Sequence, residues 1–336
     1  MALSLLGGLG LPHPAQAYPG LIYDAIDLTS KIRPGVVPVA LDEAGERVAL
    51  TYTESPFASL SYLWSASQPD QPVLVQAPAA GVHLKISSVN REGIFSAMGT
   101  DAAGAPRAYR VLPDGQVEDW APGTAYGLDS AGSLFGSVTD SQGTRVVAWN
   151  AAGQAPVVLP VLDGGLPQIR QSSAAGSLVG WSYSESGAGF HAALWNRSGS
   201  GWSVRDLGTL GGPSSYGLGI SPSGEFVVGW SYGPGAVRQA QAFIASSASA
   251  VMRGLEPAGN SQRSVARAVN DAGWVVGDVA GKAVIWIEGK SYSLRDLMSE
   301  PEGWTLGEAK AINSRGDVLV LGMRQGQARA LLLKKR

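Results

Sequence analysis

Seven glycines recur along this chain at a nearly constant interval. Gly45, Gly93, Gly132, Gly176, Gly224, Gly273 and Gly316 are spaced 48, 39, 44, 48, 49 and 43 residues apart. Three residues ahead of them stand Asp42, Asn90, Asp129, Ser173, Ser221, Asn270 and Asn313. Such side chains hydrogen-bond their own turn, and glycine takes positive φ at little steric cost, so each pairing reads as a hairpin turn. An apolar residue precedes six of the turns (Leu41, Val89, Leu128, Ile220, Val269 and Ile312), with Ser172 the exception. An apolar, often β-branched run follows, as in Phe226-Val227-Val228 and Val275-Val276.

Each interval has room for two more strands. The third carries an aromatic residue in six repeats: Trp64, Tyr109, Trp149, Trp195, Phe243 and Trp286. The fourth ends near an acidic-apolar pair in Asp119-Trp120, Asp206-Leu207 and Asp296-Leu297. Four strands in about 45 residues is the period of a propeller blade. Helical apolar periodicity is missing throughout. The expected fold is therefore all-β: one seven-bladed β-propeller with four-stranded blades across residues 18–336. The seventh repeat lacks a fourth strand, yet Tyr23 to Leu28 has that signature ahead of repeat one. Adding this N-terminal strand to the last blade closes the ring and removes exposed sheet edges.

Charge and composition narrow the function classes. Net charge is −2, and the longest run of like charge is Lys334-Lys335-Arg336. Nucleic-acid binding needs clustered Lys and Arg on one face, so no nucleic-acid partner is expected. The absence of cysteine excludes thiol catalysis, Cys-based zinc sites and disulfides. Residues 1–17 differ from the rest: Ala2 to Leu11 is apolar with glycines, and Ala15-Gln16-Ala17 follows two prolines. That is the pattern of a signal-peptide core and cleavage site, so a secreted, periplasmic or cell-surface location is expected. No other stretch is long and apolar enough for a membrane span.

The repeats resemble the bacterial extracellular HAF repeat family. The resemblance runs from His191-Ala192-Ala193-Leu194-Trp195 through Asp206-Leu207-Gly208-Thr209-Leu210-Gly211-Gly212 to Ile220-Ser221-Pro222-Ser223-Gly224. It returns at Ala268-Val269-Asn270-Asp271-Ala272-Gly273. The name-giving triplet survives only as His191-Ala192-Ala193 and Gln241-Ala242-Phe243. Blades four to seven carry the likeness. It implies a secreted or surface-located repeat protein and supplies no catalytic residues.

Motifs for chemistry are few. Gly229-Trp230-Ser231-Tyr232-Gly233 matches the G-x-S-x-G pattern, but a nucleophile elbow needs a strand-to-helix turn and a later histidine. Gly277 to Lys282 is one residue short of a phosphate loop and lacks the following helix. No calcium-loop motif occurs, and nothing calls for a metal or cofactor. Asp101, Asp140, Asp163, Glu185 and Asp278 read as solvated loop charges. Aromatic residues are more suggestive, because Gly180-Trp181-Ser182-Tyr183 recurs as Gly229-Trp230-Ser231-Tyr232. Both lie where a second strand enters a loop, on the face where the loop from Gly208 to Tyr216 should emerge. Trp181, Tyr183, His191, Tyr216, Trp230, Tyr232 and Arg238 form the expected ligand-binding surface. Flat rings beside polar groups suit a sugar chain or a peptide. The expected role is a non-catalytic binding or scaffold module, with a surface polysaccharide or envelope protein as partner. The alternative is a carbohydrate-active lyase or hydrolase with its site at the channel mouth.

Overall fold

A computed structural model describes residues 18–55, 58–79, 82, 84–199, 201–235, 239–257 and 262–336. The expected leader, residues 1–17, lies outside them, as do His83 and Arg238. The described chain forms seven four-stranded antiparallel sheets, a seven-bladed β-propeller. In six blades the strands follow chain order. First strands are Val37–Leu41, Leu84–Val89, Thr124–Leu128, Gln168–Ser172, Ser215–Ile220, Ser264–Val269 and Trp304–Ile312. Each touches the first strand of the next blade, and the seventh touches the first. These strands therefore form the inner wall of a central channel.

The repeated glycine sits where the turn requires it. All seven have φ between +62° and +88°. Their N–H groups donate to the carbonyl three residues back, as Gly316 does to Asn313 at 3.0 Å. The Asx side chain caps the same turn: Asn270 Oδ1 accepts from Ala272 and Trp274. Asparagine does a second job here. The Nδ2 of Asn270 donates to the Asn313 carbonyl at 3.1 Å, and that of Asn90 to the Asp129 carbonyl at 3.0 Å. Each of these amides ties its own hairpin to the next blade.

One apolar cluster fills each of the seven junctions between neighbouring blades. Trp64, Trp149, Trp195 and Trp286 occupy equivalent points on third strands and are at most 2% exposed. Burial of such side chains supplies most of the favourable free energy of a fold like this. The junction between blades seven and one, with Leu319 and Leu332 against Val48 and Trp64, is built like the others.

Blade seven itself is completed by strands from both ends of the described chain. Tyr23–Asp27 pairs with Gln327–Lys335, so blade seven reads outward as Trp304–Ile312, Val318–Arg324, Gln327–Lys335 and Tyr23–Asp27. The buried Tyr23 hydroxyl donates to the Gly316 carbonyl at 3.0 Å. At the rim, Arg336 Nε and Nη2 grip Asp24 at 2.8 and 2.7 Å. Those bonds, with one from Ser299, hold the Asp24 carboxyl at about 2, below its usual 3.8. A depressed carboxyl stabilises the ionised folded state, and the contribution fades as pH falls from 3.8 through about 2. Asp24→Asn is expected to lower the melting temperature slightly at pH 7. Thermal melts in acid should show that difference shrinking across the same interval.

Some outer strands are shorter than the repeat suggests. Fourth strands at Val73–Leu74 and Val157–Val158 have two residues each. That of blade six ends at Ser293, short of the Asp296-Leu297 signature, because Asp296 N–H turns back to the Ser293 carbonyl.

Candidate functional site

The connections opposite the glycine turns define the upper face. In blade four the second strand is Leu178–Ser184 and the third Gly189–Ser198. Trp181 lies across from Gln168 and Ala192, and Tyr183 across from Phe190. Strand side chains alternate between faces, so Trp181, Tyr183 and Phe190 share one. In blade five Trp230 lies across from Tyr216, with Tyr232 two residues further on.

These residues make a continuous aromatic patch across two blades. Tyr216 stacks on Trp230 at 4.4 Å between ring centroids and meets Trp181 edge-on at 5.2 Å. Tyr232 packs edge-on against Trp230 at 5.2 Å. Phe190 bridges Tyr183 at 5.4 Å and Tyr216 at 6.0 Å. All six rings are half-buried, unlike the fully buried Trp195. Each ring pair stabilises by about 0.5–1.5 kcal/mol beyond its area burial, which holds the patch rigid. Burial pushes the Tyr216 phenol up, the Tyr232 phenol adds to this, and Ser214 opposes it.

The recurring Gly-Trp-Ser-Tyr unit now has a physical account. A Cβ on Gly180 would lie 1.8 Å from the Gln168 carbonyl oxygen, and one on Gly229 would lie 1.9 Å from that of Tyr216. Glycine thus lets first and second strands approach, which brings Tyr216 over Trp230. The serines face the other way and are fully buried. Ser182 Oγ donates to the Gly165 carbonyl at 2.7 Å, and Ser231 Oγ accepts from Leu210 N–H at 2.9 Å. Both anchor the loop entering the blade to its second strand. The same loop pairs with that strand's end, where Gly212 N–H donates to the Tyr232 carbonyl. The loop from Gly208 to Tyr216 therefore does emerge beside the patch. Ser231 is hydrogen-bonded to Ser214, Tyr232 and Leu210 and to no histidine.

Two expectations change. His191 pairs with Ser182, on the opposite face of the blade from Trp181. Its Nδ1 lies 2.7 Å from Asp206 Oδ2, and it is 8% exposed. Strand alternation thus removes it from the patch and puts Phe190 there instead. Asp278 is no solvated loop charge: it is 1% exposed and binds Arg263 at 3.1 Å and Arg267 at 3.0 Å. Arg238 falls outside the described residues. Of the remaining acids, Asp163 is held low by hydrogen bonds from Ser186 and its neighbours, Asp140 pairs with Arg145, and Asp101 caps its own turn.

A second set of residues escaped the sequence reading. Every first strand carries a β-bulge, seen as a slip in its register with the second strand. The unpaired residue stands three before the turn Asx or Ser: Val39, Ser87, Tyr126, Arg170, Leu218, Arg267 and Lys310. All seven reach solvent, while the residue before each is buried. On the innermost strands that makes one level of the channel wall. Counting back three from each turn would have found them.

At the closing seam, a cavity of about 410 Å³ is lined by Asp24, Asp27, Ser299, Glu302, Trp304 and Arg324, among others. It is far from the aromatic patch in the chain and reaches from the outermost to the innermost strand of blade seven. No group of three or more potential metal-ligating side chains occurs among the described residues. No described helix is long and apolar enough to cross a membrane.

No protein-family model matches the chain, and no curated protein matches it in sequence. Solved structures do match in shape. The β-propeller domain of the Trilobed protease from Pyrococcus furiosus, described as having an open velcro topology, gives a TM-score of 0.59 at 9% identity. That match covers 94% of this chain and 97% of the other. Virginiamycin B lyase from Staphylococcus aureus gives 0.55 at 12% identity, covering 94% and 99%. TolB from Acinetobacter baumannii gives 0.47 at 13% identity; 87% of this chain is covered, and the chain spans 64% of that protein. At these identities the first two matches show a likeness of fold alone.

Proposed function

We propose that this propeller is a binding module of the bacterial cell envelope or exterior, a surface-located repeat protein of the HAF type. Its upper face over blades four and five takes a surface polysaccharide. The observation that carries this reading is the patch of six half-exposed rings joined through Tyr216. Sugar rings present apolar C–H faces that stack on indole and phenol, and flanking backbone and hydroxyl groups supply orientation. The patch spans two blades locked by a buried junction, so it is presented ready-made and little ordering cost falls on binding. The export pattern of residues 1–17 supports a location where such polymers occur.

A glycan array with the mature chain tests the idea, followed by titration of the best ligand into single variants. Trp181→Ala and Trp230→Ala should each weaken binding about tenfold or more, as central aromatic anchors do. Their melting temperatures should stay close to that of the parent. Retained affinity in both variants, or an array without any bound glycan, would count against the reading.

A further inference from the structure

We propose that the central channel is an anion-binding site in which Arg170, with Arg267 and Lys310 further round the same level of the wall, receives a carboxylate or phosphate group. This site is separate from the aromatic patch and does not rest on the reading given for it.

The bulges create the site. An unpaired residue on an innermost strand is turned out of the sheet, and the sevenfold repeat puts all such residues on one level. Three of the seven are cations. Two of these already have carboxylate partners. Arg267 Nη2 bonds Asp278 at 3.0 Å and Glu308 at 3.2 Å, and Lys310 pairs with Glu308. Both are thereby fixed in place. Arg170 is different, because among the described residues no carboxylate pairs with it. The groups that act on it electrostatically are the Tyr126 phenol of the adjacent blade and the Arg267 guanidinium two blades away.

Arg170 is exposed to solvent inside the channel, and the surrounding walls take away part of that water. That removal from water pushes its guanidinium below the ordinary value; Tyr126 opposes the shift and Arg267 adds to it. A guanidinium so placed gains most from an oxyanion, which it can grip through two parallel N–H donors. Tyr126, on the adjacent blade at the same level, supplies a hydroxyl donor for a remaining oxygen. The paired carboxylates leave the opposite arc without a free negative charge to repel the guest. Leu218 on the next blade and Val39 across the ring are the apolar members of the level and bound the size of group that fits.

The test uses isothermal titration at low ionic strength with two probes, inorganic phosphate and D-glucuronate. At least one is expected to bind the parent protein, and the stronger of the two identifies the source of the anionic group. Arg170→Gln should weaken that binding about tenfold or more, the size expected for charge-assisted hydrogen bonds. Arg170→Lys should fall between the two, keeping charge but losing the planar fork. Arg91→Gln, at an exposed position on a glycine turn, should bind as the parent does. Circular dichroism confirms that each variant is folded. The proposal is overturned if neither probe binds at millimolar concentration, or if folded Arg170→Gln binds as tightly as the parent.

Discussion

Removing residues 18–28 is expected to abolish the closed, cooperatively folding propeller. The deletion strips Tyr23 and Leu28, both 0% exposed, from the seam, and each stabilises by about 1.5–3 kcal/mol through burial. It also unpairs the backbone of Gln327–Lys335 along the ladder from Tyr23↔Lys335 to Asp27↔Leu331. The combined loss, about 5 kcal/mol or more, rivals the whole stability of an ordinary domain. A free edge carrying Leu331, Leu332 and Leu333 is a template for pairing with another chain. Size-exclusion chromatography should therefore show dimers or larger species. Urea unfolding should lose its single sharp transition. A synthetic peptide of residues 18–28 should restore both, by adding the missing strand in trans. An unchanged monomer with an unchanged melt would show that the seam contributes little.

The second large effect is expected inside a blade junction. Trp195→Ala should cost about 3–5 kcal/mol in urea denaturation, as truncation of a buried large aromatic does. The indole is wholly buried in the cluster between blades three and four, against Phe135, Ile169 and Leu178. Its Nε1–H donates to the Pro160 carbonyl at 2.7 Å. Trp195→Phe keeps most of the apolar contact but strands that carbonyl, so about 1–3 kcal/mol should be lost. Trp181→Ala should cost less than either, since its ring is half-exposed. This ranking separates core from surface aromatic residues. If Trp181→Ala proved as damaging as Trp195→Ala, the upper patch would be packing and the proposed binding role would lose its basis.

The fold was legible because its turns are chemically demanding. Positive φ calls for glycine, and the orphan donors of a tight turn call for Asn, Asp or Ser, so Gly45 through Gly316 mark all seven hairpins. The seam could be read from Tyr23 to Leu28 because a seventh fourth strand had no other source. The outer strands were less legible: Val73–Leu74 and Val157–Val158 pair over only two residues, too few for a pattern. Within the candidate site, Trp181, Tyr183, Tyr216, Trp230 and Tyr232 come together as expected. His191 misled because proximity in sequence says nothing of strand face; the hairpin register, which pairs Tyr183 with Phe190 and Ser182 with His191, decides it. Asp278 misled because Arg263 and Arg267, eleven to fifteen residues away, meet it only after the bulged strand folds back. Arg170 carried no local motif at all; only its offset from Ser173, compared across seven repeats, reveals it.

The bulges have a further consequence for how such a molecule can change. A residue that neither pairs in the ladder nor packs between blades can be exchanged without disturbing what holds the ring together. Leu218→Arg should leave the architecture standing while rewriting the sign and reach of the pore lining. Val39 and Tyr126 lean on junction clusters and Ser87 bonds the next blade, so the lining can be retuned one letter at a time at seats such as Leu218, with the frame around it left alone.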